Sequence, residues 1–318
     1  MYRKMRIKDS HHGTSRDGGS SEFTAALPLK YYGEKLKKQD RWTDLHIHTN
    51  KSDGTFSVED VFKSAKREGL EAISITDHDT VAAVTEGLKF SNTYGIEFVP
   101  GVELSAIYQN KEVHIIGLFI DWKDKAFNER LTYFQKKRAE RAKKIIKKLR
   151  ELGLPVKYEE MYEVTENMNN AGRLHVAKLL VQKKLAKNIR NAFDRYLAEE
   201  RPAYVKKAKL TVKEAIDLIK SVNGISILAH PVLLNRDDML KEWKQTGLDG
   251  LEAFHPDHDS EAMSRYLSLA KKNGLIVSGG SDCHGSSKMH TRIGKIKLPY
   301  EFFIKIKELK NKRGKKAS

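Results

Sequence analysis

The chain has 318 residues, enough for one large domain or two ordinary ones with a sizeable core, and its single cysteine, Cys283, excludes an intrachain disulfide framework and fits a reducing compartment. No apolar run approaches the roughly 20 residues that span a bilayer, and the N-terminus lacks the apolar region of a signal peptide, so a cytoplasmic location is expected. The formal net charge of +17 is unevenly placed: residues 1–41 carry ten basic and five acidic groups, 135–151 nine and two, and 305–318 seven and one, which leaves the rest near neutral. Such segments attract polyanions, RNA included, through screened and sequence-independent forces, and they serve equally as solvated surface.

Residues 1–41 read as a basic extension, and the stretch 10–22, SHHGTSRDGGSSE, predicts a flexible segment in which His11 and His12 are incidental. The first strand signal is WTDLHIH (42–48), where period two puts His46 and His48 on one face and Leu45 and Ile47 on the other. A loop follows, then the helix VEDVFKSAKREG with Ser57 as N-cap and Gly69 as its end. Next come a strand at 71–78, a helix at about 80–94, and strands at 96–108 and 112–120. The βα pattern then breaks. A long amphipathic helix over 124–152 has apolar positions Leu131, Phe134, Ala142, Ile145, Leu149 and Leu152, and GLP at 153–155 ends it. With no convincing strand in 156–205, the span 124–205 reads as a helical insertion. The pattern resumes with a helix at 211–221, strand 224–230, helix 237–246, strand 250–255, helix 259–273, strand 274–284 and a final helix at 299–311, the last residues 305–318 forming a basic tail. Six or seven βα units interrupted once suit a closed or distorted (β/α) barrel, spanning 42–123 and 206–304, with an open doubly wound sheet as the competing architecture.

Nearly every predicted strand ends in a His, Asp or Glu, where parallel α/β folds place their sites. The series is His46, His48, Asp53, Asp77, His78, Asp79, Glu103, His114, His230, His255, Asp282 and His284. Singly, each has an ordinary structural reading; Asp79, for instance, is placed to cap a helix beginning at Thr80. Jointly they point to coordination, because buried imidazoles and carboxylates are costly unless paired or metal-bound. Nitrogen and carboxylate donors without cysteine clusters suit Zn²⁺, Mn²⁺ or Fe²⁺ in catalytic use, and so many donors imply more than one ion. Adjacent divalent ions suit phosphoester hydrolysis by a bridging hydroxide. Phosphate-binding glycine loops, dinucleotide fingerprints and the GxSxG serine motif are all absent.

The motifs DLHIHTNKSDG, ITDHD, GVEL, HIIG, AHP and GSDCHG, in this order from about Thr43 to Gly285, resemble those of the polymerase-and-histidinol-phosphatase (PHP) superfamily of metal-dependent phosphoesterases. The insertion, with GRLHVAKLLV (172–181) and RPAYV (201–205), is similar to the branch of nucleoside 3′,5′-bisphosphate phosphatases and 5′→3′ exoribonucleases acting on short RNA. The resemblance implies a distorted (β/α)₇ barrel with two to three divalent ions, manganese first and zinc or iron as alternatives. It implies that His46, His48, Glu103 and Asp282 hold one ion, that Glu103 bridges to a second held by His114 and His230, and that Asp53, His78 and His284 hold a third. It further suggests a cap in which Arg173, His175 and Arg201 meet a nucleotide, although the branch often has proline where this chain has Leu174.

Among catalytic candidates, Asp77 is expected to orient an imidazole and His255 to assist the leaving group, while His255 and Asp257 have an equal reading as loop-shaping residues. Cys283, between two ligands, is expected to pack in the core. The rival activity is a small-molecule phosphatase of the histidinol phosphate type, which often has histidine where this chain has Asp53. A non-catalytic, metal-stabilised RNA-binding protein is the rival of another class, supported by the basic segments alone. Membrane partners are not expected, and oligomeric state is not legible.

Overall fold

In a computed structural model, residues 41–165, 168, 171–206, 210–288 and 291–317 are described, the side chains of 316 and 317 aside. The expected flexible extension lies outside these residues except for Arg41, whose Nε donates to Glu71 at 2.6 Å.

The elements in order are β1 (Trp42–Ile47), α1 (Val58–Arg67), β2 (Leu70–Ile75), α2 (Val84–Tyr94), β3 (Glu97–Tyr108), β4 (Lys111–Leu118) and α3 (Lys125–Glu151). There follow α4 (Arg173–Gln182), α5 (Ile189–Ala192), β5 (Leu210–Thr211), α6 (Val212–Ser221), β6 (Ile225–Leu228) and α7 (Leu240–Thr246). The chain continues with β7 (Gly250–Phe254), α8 (Ser260–Asn273), β8 (Ile276–Gly279), β9 (Leu298–Pro299) and α9 (Tyr300–Ala317). Ser57 caps α1 in a reciprocal capping box with Asp60, and the chain turns out of that helix at Gly69, φ +69°.

The strands form one sheet in the order β8-β7-β6-β4-β3-β2-β1-β9, with β5 paired to β3. β1 to β3 run parallel, as do β6 to β8, while β4 is antiparallel to both β3 and β6. The reversal comes from a two-residue hairpin, Gln109 at φ 46° and Asn110 at φ 66°, whose positive angles match the twist of the paired strands. The barrel is therefore distorted at β4. It nearly closes where the chain beyond β8 returns to β1: Asp282 N donates to His46 O at 2.8 Å and His48 N to Cys283 O at 2.9 Å. Gly280 permits this approach, since a Cβ there would stand 2.4 Å from His46 N.

Of the apolar clusters among the described residues, one lies under the first strands and one in the insertion. Ile47, Val61, Phe62, Ile73, Ile75 and Cys283 belong to the one beneath β1 and β2, which puts Cys283 in the core as expected. The other lies within residues 142–203 and includes Ile145, Leu149, Met161, Val176 and Leu180. Between Lys125 and Lys206 no strand occurs among the described residues.

Three expectations need correction. The helix expected from Thr80 begins at Val84, because Asp79 is in left-handed backbone at φ 52° and spends its carboxylate on Ser105 N (3.1 Å) and Arg138 instead of on a helix N-terminus. Leu152 is the C-cap of α3 and 45% exposed, outside the apolar stripe. The segment 305–318, expected as a tail, continues α9 as far as Ala317 and packs: Ile306 is buried, Lys307 pairs with Glu97 at 2.6 Å, Lys310 donates to Asn223 O at 2.6 Å, and Arg313 pairs with Asp249.

Candidate metal centre

At the C-terminal ends of the parallel strands the side chains expected from the sequence converge. β1 delivers His46 and His48 to one face, with their Nε2 atoms 3.1 Å apart, while Leu45 and Ile47 enter the core. β3 brings Glu103 between them and the imidazoles of three other elements. Its Oε2 lies 3.3 Å from His46 Nε2, 3.1 Å from His48 Nε2 and 3.1 Å from His78 Nδ1. Its Oε1 lies 2.8 Å from His114 Nδ1 and 3.3 Å from His230 Nε2. One carboxylate thus spans five imidazoles, one oxygen to each side.

Asp282, in left-handed backbone at φ 49° just beyond β8, turns Oδ1 to within 3.3 Å of both His46 Nε2 and His48 Nε2. Asp53, in the loop after β1, lies 3.4 Å from His284 Nε2, 3.7 Å from His78 Nε2 and 3.8 Å from His48 Nδ1. Among the described residues the donor sets whose offered atoms lie within 4.8 Å of one another are His48, Asp53, His78 and His284; His46, His48 and Asp282; His78, Glu103 and His114; and His46, Glu252 and His255.

These residues fit divalent ions on two grounds. Glu103 Oε2 and the nitrogens His48 Nδ1, His78 Nδ1 and His114 Nδ1 are buried with no aligned hydrogen-bond partner, even where a neighbour is as near as 2.8 Å. Donors packed roughly 3.0–3.4 Å apart are also spaced like the edges of a coordination shell of about 2.1 Å radius.

Charge in the site is strongly coupled. Burial opposes ionisation of Glu103, yet His78, His114 and His46 outweigh it and hold the carboxyl well below the usual range. Asp282 and Asp53 are held down in the same way, against burial, by His284 and His46 in the first case and by His78 and His284 in the second. Burial resists the charge on His48 and His114 as well, but their carboxylates raise them to about 10 and about 9. His78 is pushed down to about 3 by burial.

The partners that orient the imidazoles differ from those expected. Glu252, on β7, accepts from His46 Nδ1 at 3.0 Å and from His230 N at 2.8 Å, which leaves His46 Nε2 aimed at the cluster. His284 Nδ1 lies 2.8 Å from Asp282 O, so its Nε2 faces Asp53. Among the described residues Asp77 bonds no imidazole. It accepts from Thr49 N at 2.8 Å, Thr49 Oγ1 at 2.6 Å and Ser52 Oγ at 2.5 Å, and so shapes the loop that carries Asp53. His255 is buried at the floor, its Nδ1 accepting from Asp257 N at 3.1 Å, which leaves Nε2 as its donor atom, 3.6 Å from Asp282 Oδ2.

The cap stands over this cluster. A cavity of about 160 Å³ is lined from the barrel by Asp53, His78 and His114 and from the cap by Arg138, Arg141, Arg173 and His175. Arg173 pairs with Glu112 at 3.4 Å. His175 is buried and accepts from Gly172 N at 3.1 Å, capping α4, and burial pushes its ring down to about 4. Arg201 is exposed in a turn and is absent from the lining of this cavity and of the adjoining one of about 500 Å³. Arg138 and Arg141 occupy the cap wall instead.

Glu252, Asp44, Arg138, Arg141 and Lys288 escaped the sequence reading. Asp44 sits two residues before His46, and its Oδ1 accepts from Ser281 N at 2.9 Å. Glu252 lies inside the apolar strand GLEAF, where a carboxylate is itself a signal. Lys288 pairs with Asp282.

A model of the PHP domain family matches residues 44–277. The 5′-3′ exoribonuclease Rnm of Salmonella typhimurium is 32% identical, over 76% of this chain and 84% of its own. The 3′,5′-nucleoside bisphosphate phosphatase of Chromobacterium violaceum is 28% identical, over 79% of this chain and 90% of its own. A solved structure from Bifidobacterium adolescentis, assigned as a metal-dependent phosphoesterase, superposes with a TM-score of 0.77 at 27% identity, covering 83% of this chain and 94% of that one.

Proposed function

The chain belongs to the PHP domain family, and from that premise we propose that it is a metal-dependent phosphoesterase hydrolysing a terminal phosphoester of nucleoside 3′,5′-bisphosphates or the 5′ end of short RNA. The observation that carries the reading is Glu103, whose two oxygens face separate imidazole sets beneath a cap wall of arginines. His46, His48, Glu103 and Asp282 would hold one ion, His114 and His230 a second with Glu103 between, and Asp53, His78 and His284 a third. Divalent ions bound there, manganese first among them, supply an activated water and neutralise phosphoryl oxygens.

The chain's own residues do the rest. Glu252 fixes the His46 ring, Asp77 holds the loop of Asp53, and the Nε2 proton of His255 beside Asp282 is available to a departing alkoxide. The cap arginines match phosphate in fork geometry, and Asp53 together with the helical insertion disfavours the histidinol phosphate type. The non-catalytic RNA-binding alternative loses one support, since Lys307, Lys310 and Arg313 of α9 are engaged within the fold.

The test is product release from adenosine 3′,5′-bisphosphate and from a 5′-phosphorylated RNA tetramer, with Mn²⁺, with chelator, and with Asp282→Ala. Turnover that needs metal and disappears in the variant is expected. Inertness toward both substrates with metal bound would sink the nucleotide reading.

A further inference from the structure

The two oxygens of Asp282 have different company. Oδ1 faces the imidazoles of His46 and His48 at 3.3 Å each, inside the cluster proposed to hold an ion. Oδ2 turns the other way, 3.6 Å from His255 Nε2 and in contact with the ammonium of Lys288. Lys288 has no part in the function proposed above.

The local fold puts the lysine there. Beyond β8 the chain makes a short 3₁₀ turn, Gly285–Ser287, in which Ser286 N donates to Thr55 Oγ1 at 2.8 Å in the loop after β1. Lys288 follows at once, and its carbonyl accepts from both N and Oγ1 of the buried Thr291 at 2.9 Å. The backbone is thus tied on both sides, and the side chain folds back over a carboxylate six residues earlier.

An ammonium has three protons to donate, and Asp282 takes one; among the described residues no second acceptor meets Lys288 Nζ. Exposure separates the two groups on Oδ2. The side chain of His255 is fully buried, whereas that of Lys288 is 34% exposed. The alcohol released from a phosphoester departs toward solvent, so the charge on its oxygen develops on the open side of the site, where the lysine stands.

We propose that Lys288 is the cation that meets the leaving oxygen of the substrate, spending its spare N–H groups on the negative charge that develops there. The inference rests on the phosphoesterase reading above and adds a residue to it. In the step, the oxygen of water joins phosphorus, and the P–O bond to the alcohol breaks with its electron pair staying on the departing oxygen. That oxygen finally gains the proton that water has lost, returned through solvent or the His255 Nε2 named above. Lys288 keeps its protons throughout and acts as a fixed charge aimed at the transition state.

The test compares the full chain with Lys288→Met and Lys288→Arg on monoesters of rising leaving-group basicity: 4-nitrophenyl phosphate, phenyl phosphate and adenosine 3′,5′-bisphosphate, all with Mn²⁺. Metal affinity is measured beside it, by titration against a competing chelator. Lys288→Met should lose roughly 10- to 100-fold in kcat on the bisphosphate, less on phenyl phosphate and only a few-fold on 4-nitrophenyl phosphate, whose anion needs little help. KM should change little, because the charge exists only in the transition state. Lys288→Arg should keep part of the activity, and metal affinity should not fall in either variant, since no ligand is removed.

A loss equal across the series would overturn the proposal, and weaker metal binding beside it would make Lys288 a support of Asp282 instead. An effect confined to KM would place the lysine on a ground-state phosphate oxygen and overturn it equally. In both cases wild-type turnover leaves the phosphoesterase reading standing. If wild type hydrolyses none of the three esters, that reading falls and the role of Lys288 falls with it.

Discussion

Glu252 Oε1 receives the Nδ1 proton of His46 at 3.0 Å, from β7 across the barrel to β1. The bond fixes the ring so that Nε2 faces Glu103 and Asp282, and the other Glu252 oxygen holds His230 N at 2.8 Å. One carboxylate thereby sets the ring of one candidate ligand and the backbone of another. Glu252→Ala should weaken metal binding by roughly 10- to 100-fold, with Glu252→Gln milder, in a titration against a competing chelator. Unchanged affinity in both variants would show that packing alone orients His46.

Removal of metal should make stability depend on pH in a defined direction. His48 and His114 are raised to about 10 and about 9, so their contribution is complete below the ordinary value near 6.5 and is lost as pH climbs through those values. His78, lowered to about 3, acts oppositely: its contribution is present above about 6.5 and declines as pH falls toward 3. Glu103, Asp53 and Asp282, all depressed, contribute above the ordinary carboxylate range of about 4 and lose that contribution only on strong acidification. Chelated protein should therefore melt earlier as pH rises from 6.5 to 9.5. Saturating Mn²⁺ should flatten or reverse that slope, because deprotonated imidazoles are what a metal binds. Parallel slopes with and without metal, by scanning calorimetry, would contradict an ion at these histidines.

Asp77 is predicted to act on the loop of Asp53. With three acceptor bonds to Thr49 and Ser52 removed, Asp77→Ala should release Asp53 while leaving the sets around Glu103 in place. The measurable outcome is a lower metal stoichiometry by elemental analysis, with the tightest-bound ion retained. Loss of all metal at once would instead make Asp77 a support of the whole centre.

Legibility in the sequence followed the reach of each signal. The pair on β1 was readable because period two forces His46 and His48 onto one face, and Ser57 was readable because a capping box is local. Asp77 and Asp79 were misread because their partners are chosen by tertiary structure: Thr49 lies 28 residues from Asp77, and Arg138 lies 59 from Asp79. The basic runs concealed two kinds of residue. In α3 a helical face carries Arg138 and Arg141 inward with Ile145, while Lys143, Lys144 and Lys147 face solvent, and composition does not separate them. In α9 the cations pair with Glu97 and Asp249, far upstream, so a segment that reads as a tail folds as a helix.

The contact between Arg138 and Asp79 joins the cap to the barrel, since α3 leaves the sheet and returns over it through this pair. Asp79 is buried in left-handed backbone and also accepts from Ser105 N at 3.1 Å on β3, while Gln135 of the same helix donates to Asp79 O at 2.9 Å. Arg138→Met keeps much of the volume of the side chain but leaves the carboxylate without its cation. Breaking a buried pair from one side costs about 3–5 kcal/mol, well above the loss expected of an exposed pair such as Lys125 with Glu129, which is worth about 1 kcal/mol or less. The double variant with Asp79→Asn should recover part of that cost, because the stranded charge goes with it. Chemical denaturation of the two single variants and the double variant measures the coupling, and purely additive losses would mean that other contacts across the seam, such as Gln135 with Asp79 O and Arg173 with Glu112, hold the cap over the candidate metal centre.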